Sequence, residues 1–121
     1  MNSVQTGSFN LEITGYRDVP PSSTATQLCL GDNGRVLSVT GTIIIPNGVF
    51  SSGNVVSIYN NSSAGITLTT AGTTTIQTCY LSSTDINRGG SSGSNVTLAA
   101  RGLCTILFLS PTSCVITGSV S

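Results

Sequence analysis

Short alternating runs dominate the chain. In NVVSIYN (Asn54–Asn60), Val55, Ser57 and Tyr59 fall on one side and Val56, Ile58 and Asn60 on the other. In AGITLTT, Ile66 and Leu68 oppose Thr67 and Thr69. A period of two is what a strand needs when one face meets a core and the other meets solvent or a neighbour. The intervening YNNSSAG is rich in turn formers, so the two strands are expected to pair as a hairpin. TTTIQTCYL and SNVTLAA supply two more strands. Between these lies the one long loop, Ser82–Ser94, whose Gly and Ser content predicts a mobile surface excursion. No stretch has sustained helical periodicity, and no internal repeat is evident.

The C-terminal hairpin carries the strongest pattern. GLCTILFLS and SCVITGSVS flank Pro111 and Thr112. A turn at Ser110–Ser113 sets Leu109 opposite Cys114 and Cys104 opposite Ser119. The two cysteines are then several residues apart along the ladder, at about 3.3 Å per residue, too far to bridge within the hairpin. Leu103, Leu107 and Leu109 share one face, and Cys104, Ile106 and Phe108 the other. Such a strand either lies central in a sandwich with both faces in the core, or turns one face to another subunit. The core reading is the simpler expectation.

Upstream, Asn33–Gly34 is a turn signal. Arg35–Thr40 and Thr42–Ile45 read as one extended stretch interrupted at Gly41 by a bulge or bend. Pro46–Asn47–Gly48 ends it. Residues 1–24 differ: one strand is possible over Phe9–Thr14, followed by a Pro-Pro pair that stops a ladder. The expected organisation is an arm or peripheral strand over 1–24 and a single β domain over 25–121. The fold class is all-β: an antiparallel β-sandwich or jelly-roll-like barrel of about eight strands, with an N-terminal extended arm.

Composition then narrows the function. Of the 121 residues, 7% are charged, against about 25% in ordinary globular proteins. The stretch Val39–Thr70 carries no charge. There is no Lys, His or Trp, and the net charge is zero. Four scattered Arg cannot neutralise a run of phosphates or an anionic lipid surface, so neither nucleic acid nor membrane is an expected partner. The longest apolar run, Leu103–Leu109, is too short to span a bilayer. MNSVQTGSFN lacks the basic and apolar regions of a secretion signal, so synthesis in a cytosol is expected. Abundant Val, Ile and Thr argue against disorder.

Catalytic chemistry lacks its parts. Without His there is no Ser–His or Cys–His dyad, and without Lys no Schiff base or P-loop. Glu12, Asp18, Asp32 and Asp85 have plain readings: Asp32 in a turn, Asp18 beside Arg17, Asp85 near Arg88 in a loop. Cys29, Cys79, Cys104 and Cys114 form no CxxC pair and are expected as reduced, largely buried thiols. DNG lacks the further carboxylates of a calcium loop. Asn60, Asn61 and Asn95 sit in N-x-S/T sequons and are expected as polar strand-end residues. No cofactor, metal or enzymatic activity is expected.

A chain with few charges lacks the repulsion that keeps protomers apart, and its strands carry no Lys to block pairing. Such strands suit a subunit interface, where charge is depleted. Interface candidates are Val36, Val39, Ile44, Phe50, Val56, Tyr59 and Leu107.

From Asp32 onward the chain resembles a β-rich domain of tailed-bacteriophage virion proteins. The resemblance is carried by GRVLSVTGTIIIPNGVFSSGNVVSIYNNSSAGITLT and LAARGLCTILFLSPTSCVITG, and covers most of residues 32–118. The most specific features are the order V-T-G, I-P-x-G-V-F, G-x-V-V-x-I-Y-N-N-S, and the strand entry A-x-R-G-x-x-T-I-L-F. TIQTCYLSSTDINRGGSSGSNVTL departs from the pattern, being longer and more polar, and residues 1–30 match none of it. Similar modules are usually homotrimeric and serve as capsid decoration, cement or head-fibre proteins, or end tail-fibre-like chains. The resemblance implies a virion structural protein on the capsid exterior, bound to the major capsid protein or another virion protein. Val4, Phe9 and Leu11 of the arm are the attachment candidates. The alternative is a receptor- or glycan-binding module using the loop at Ser82–Ser94.

Overall fold

A computed structural model describes residues 15–20, 25–70 and 95–121, and the backbone of 78–81. The described residues form ten strands and one 3-10 turn at Leu30–Asp32. The strands are β1 (Gly15–Asp18), β2 (Thr26–Gln27), β3 (Arg35–Val39), β4 (Ile43–Ile45), β5 (Val55–Asn60), β6 (Ile66–Thr70), β7 (Thr78–Leu81), β8 (Asn95–Leu98), β9 (Leu103–Ser110) and β10 (Ser113–Gly118). They make two sheets. The larger runs β1-β3-β5-β9-β10-β7 and the smaller β2-β4-β6-β8.

From β1 to β6 the chain alternates between sheets with every strand. β1, β3 and β5 lie side by side in parallel in the large sheet. β2, β4 and β6 do the same in the small one. Parallel neighbours need a crossover, and here each crossover is itself a strand of the opposite sheet. The result is three stacked coils. β9 then runs antiparallel against β5, and β8 antiparallel against β6, which closes the stack. The fold is all-β, as expected. The expected antiparallel pairing is corrected, because β7 is also parallel to β10 and both sheets are mixed.

The stacking has a plain physical cause. Alternation along each strand is kept, so one apolar set from every coil points between the sheets. Leu37 and Val39 of β3, Val56 and Ile58 of β5, and Cys104, Ile106 and Phe108 of β9 face Ile43 and Ile45 of β4, Ile66 and Leu68 of β6, and Val96 and Leu98 of β8 in a single buried cluster. Phe50 stacks on Phe108 with ring centroids 4.2 Å apart. Any in-phase stacking satisfies this pattern, so the coils need no repeated sequence.

Two expected local pairings change. The Val55–Asn60 and Ile66–Thr70 strands are not a hairpin; they belong to different sheets. The corner between them is held by Asn60, a fully buried residue whose Nδ2 donates to the carbonyls of Ala64 (2.8 Å), Leu98 (3.2 Å) and Ala99 (3.0 Å). Of the bulge or bend expected at Gly41, the chain makes the bend, and it parts Arg35–Val39 and Ile43–Ile45 into different sheets rather than one extended stretch. Exposed Thr40, Gly41 and Thr42 form the corner that carries the chain across. The C-terminal hairpin does form, turning at Pro111–Thr112. A shift between Ser113 and Cys114 moves its register by one, so Cys114 pairs with Phe108 and Cys104 with Gly118.

Of the first 24 residues, Gly15–Asp18 is an edge strand of the large sheet, and Val19 extends its pairing by donating to the Ser38 carbonyl at 2.9 Å. Val4, Phe9, Leu11, the Phe9–Thr14 strand and the Ser82–Ser94 loop lie outside the described residues. At the far end, Ser119–Ser121 crosses to the small sheet. Thr97 and Ser121 exchange backbone hydrogen bonds of 2.9 and 3.0 Å, which covers the outer edge of β8. No helix among the described residues is long and apolar enough to cross a membrane.

Candidate interaction surface

The two sheets turn very different faces outward. On the small sheet, register sets Thr67 beside Thr97, Thr69 beside Asn95 and Ile44, and Ile44 beside Gln27. Four of these six are Thr or Asn, and only Ile44 is apolar. A water-facing sheet of this kind is ordinary.

The large sheet is not ordinary. Its outward side chains fall into rows across the strands. One row runs Asp18, Ser38, Tyr59, Leu103; the next Tyr16, Val36, Ser57, Thr105, Thr117; the third Val55, Leu107, Val115. Leu109 continues β9 beyond them. Tyr16 is 66% exposed, Leu103 53%, Leu109 46% and Leu107 39%. These are four of the five large hydrophobic side chains most exposed among the described residues, and the fifth, Leu30, sits on the 3-10 turn. β9 is therefore central in its sheet but buries only its Cys104, Ile106 and Phe108 face. The expectation of core on both faces is corrected.

Several hydroxyls at this face are partnered within the chain, although the buried Ser38 hydroxyl has no partner among the described residues. Ser57 and Thr105 share a hydrogen bond of 3.0 Å. At its end, Ser110 and Ser113 hydroxyls pair at 2.8 Å. A polar group satisfied within the chain loses little when water is removed. A run of exposed Leu beside the internally bonded Ser57–Thr105 pair describes a surface that can be covered by another protein surface. It places no convergent polar groups for a small molecule.

The sequence-derived candidates divide. Val36, Tyr59 and Leu107 lie on this face. Ile44 is half-buried on the opposite face. Val39, Phe50 and Val56 are core residues at or below 1% exposure, so their place as interface candidates is corrected. Strand alternation explains Val39 and Val56: each is one residue out of phase with its outward neighbour. Leu103, Leu109, Tyr16, Val55 and Val115 share the face but were not among the candidates. The signal for Leu103 and Leu109 was present in their common phase with Leu107.

The charged residue in these rows is Asp18, exposed on the edge strand β1. The Arg17 guanidinium reaches Asp32, on the inward side of β1, rather than its sequence neighbour Asp18. Of the described free cysteines, Cys104 and Cys114 are buried and Cys29 is exposed, so Cys29 is the exception to largely buried thiols. Burial pushes the Cys104 thiol up to about 12, against a smaller opposing pull from its hydrogen bond with the Ile58 backbone.

Compared with protein-family models, with curated proteins and with solved structures, the chain matches none.

Proposed function

We propose that the protein is a non-enzymatic structural subunit of a bacteriophage virion, a capsid decoration, cement or head-fibre protein that assembles as a homotrimer on the capsid exterior. The observation that carries the assembly part of this reading is the leucine-bearing outer face of the large sheet. In a lone chain that face would stay in water. Covering it removes apolar area at roughly 25 cal/mol per Å2, and no charged side chain stands on β5, β9 or β10 to oppose the contact. The virion setting rests on the resemblance of residues 32–118 to phage modules.

The mechanism is mechanical. Each assembly spans neighbouring capsid subunits and opposes internal pressure by the interface area that rupture would expose. The arm reaches the shell through Val4, Phe9 and Leu11. Because Gly15–Asp18 is part of the large sheet, the attachment segment ends before Gly15.

The test is location. Labelled protein found on the outer shell of intact particles supports the reading. Protein absent from particles, with selective capture by a glycan array, supports the receptor-binding alternative instead.

A further inference from the structure

We infer that the outer face of the large sheet, centred on β5, β9 and β10, is the contact between copies of this chain, and that the threonine face of the small sheet stays outside it. This rests on the assembly reading above and adds which surface carries it.

Three observations select a second copy as the occupant. First, the face is striped in a way that complements itself. The row containing Tyr59 and Leu103 and the row containing Val55, Leu107 and Val115 flank a central row in which Ser57 and Thr105 already bond each other. Around a three-fold axis each copy turns this face to both neighbours, so apolar rows meet apolar rows and the Ser57–Thr105 bond is kept. Second, the β5, β9 and β10 positions of these rows carry no formal charge, so they hold nothing that would select a partner of strong acidic or basic character. The charges that border them are Asp18 at the end of β1 and Arg101, two residues before Leu103, both exposed and opposite in sign. A head-to-tail copy can bring one toward the other, as a cyclic assembly requires. Third, one edge-to-edge route to self-association is covered: Ser119–Ser121 pairs along β8, so that edge of the small sheet does not offer a free ladder.

The geometry also orders the contributions. Leu107 sits between Val55 and Val115 in the middle of the sheet, and Leu103 lies beside Tyr59 in the next apolar row on the same strand. Contacts at the centre of an interface dominate its energy.

The experiment compares the mass in solution of the full-length chain with that of L103D/L107D, L107S and T67D/T97D, with the far-ultraviolet spectrum checking the fold of each. Leu103 and Leu107 are exposed in the chain, so Asp there leaves the core intact. A multimeric parent, an L103D/L107D variant whose dissociation constant rises about a hundredfold or more, and an unchanged T67D/T97D variant are the expected results. L107S introduces no charge, so it reports on the same contact if the double variant fails to fold; it should weaken the assembly in the same direction. A multimer that survives both leucine variants, or that dissociates only with T67D/T97D, overturns the choice of face while leaving assembly standing. A parent that is a single chain at every concentration overturns the assembly reading itself.

Discussion

Arg17 grips Asp32 with both ends of its guanidinium: Nε donates to Oδ1 at 2.9 Å and Nη2 to Oδ2 at 3.1 Å. Asp32 is 1% exposed and also accepts the Cys29 backbone N–H at 3.0 Å. This pair ties the edge strand β1 to the turn that leads into β3, across fifteen residues of sequence. Removing Arg17 leaves a buried carboxylate with one backbone donor and no counter-charge. R17A should therefore cost about 2–3 kcal/mol, and R17A/D32N should cost less than the two single changes added together. Denaturant titration of the four proteins gives the coupling directly.

Asn60 is the corresponding fixture at the corner between sheets. Its two amide N–H groups are shared among three carbonyls, and its Oδ1 accepts the Ser62 hydroxyl at 2.7 Å. N60A should lose about 2–3 kcal/mol, because the buried Leu98 carbonyl and the Ser62 hydroxyl lose their Asn60 partner together while the Ala64 and Ala99 carbonyls keep Ser62 and Gly102. N60D, which places a carboxylate against these carbonyls, should be worse than N60A. Thermal unfolding of both variants checks the order.

Gly118 has φ +131, and a Cβ there would overlap the Leu103 carbonyl oxygen and crowd the Cys104 backbone. This is where the chain leaves β10 to cross toward β8. G118A should destabilise by more than the about 1 kcal/mol of an ordinary Gly-to-Ala misfit, with the loss seen first as faster amide exchange at Thr97 and Ala99, whose partners are Ser121 and Ser119.

The Cys104 thiol ionises at about 12 in the folded chain against an ordinary 9.0, because burial disfavours its thiolate. The unfolded chain therefore gives up this proton first. Stability is unaffected by this group below about pH 9 and falls as pH rises from there toward 12. C104A should flatten that alkaline decline. At neutral pH, a thiol-alkylating reagent should label exposed Cys29 and spare Cys104 until the protein unfolds.

These residues also mark how far sequence reading reaches. Alternation identified the strands, and it placed Cys104, Ile106 and Phe108 together opposite Leu103, Leu107 and Leu109. It did not identify partners, because a period of two says which way a side chain points and nothing of which strand lies beside it. That is why Val55–Asn60 and Ile66–Thr70 read as a hairpin although a buried Asn60 sends them to opposite sheets. The same ambiguity hid the coils, whose stacking requires matched phase rather than matched residues. For the surface, Val36, Tyr59 and Leu107 were legible as uncharged strand positions. Val39, Phe50 and Val56 were indistinguishable from them without knowing which side the second sheet covers. The Arg17–Asp32 pair was hidden for another reason: Asp18 is nearer in sequence, but it points to the opposite face of β1.

The central claim is that the leucine-bearing sheet face is covered by other copies of the chain. Sedimentation equilibrium of the full-length protein over a wide concentration range tests it most directly. The account predicts a mass three times the 12.3 kDa of one chain; a mass of 12.3 kDa throughout that range would contradict it.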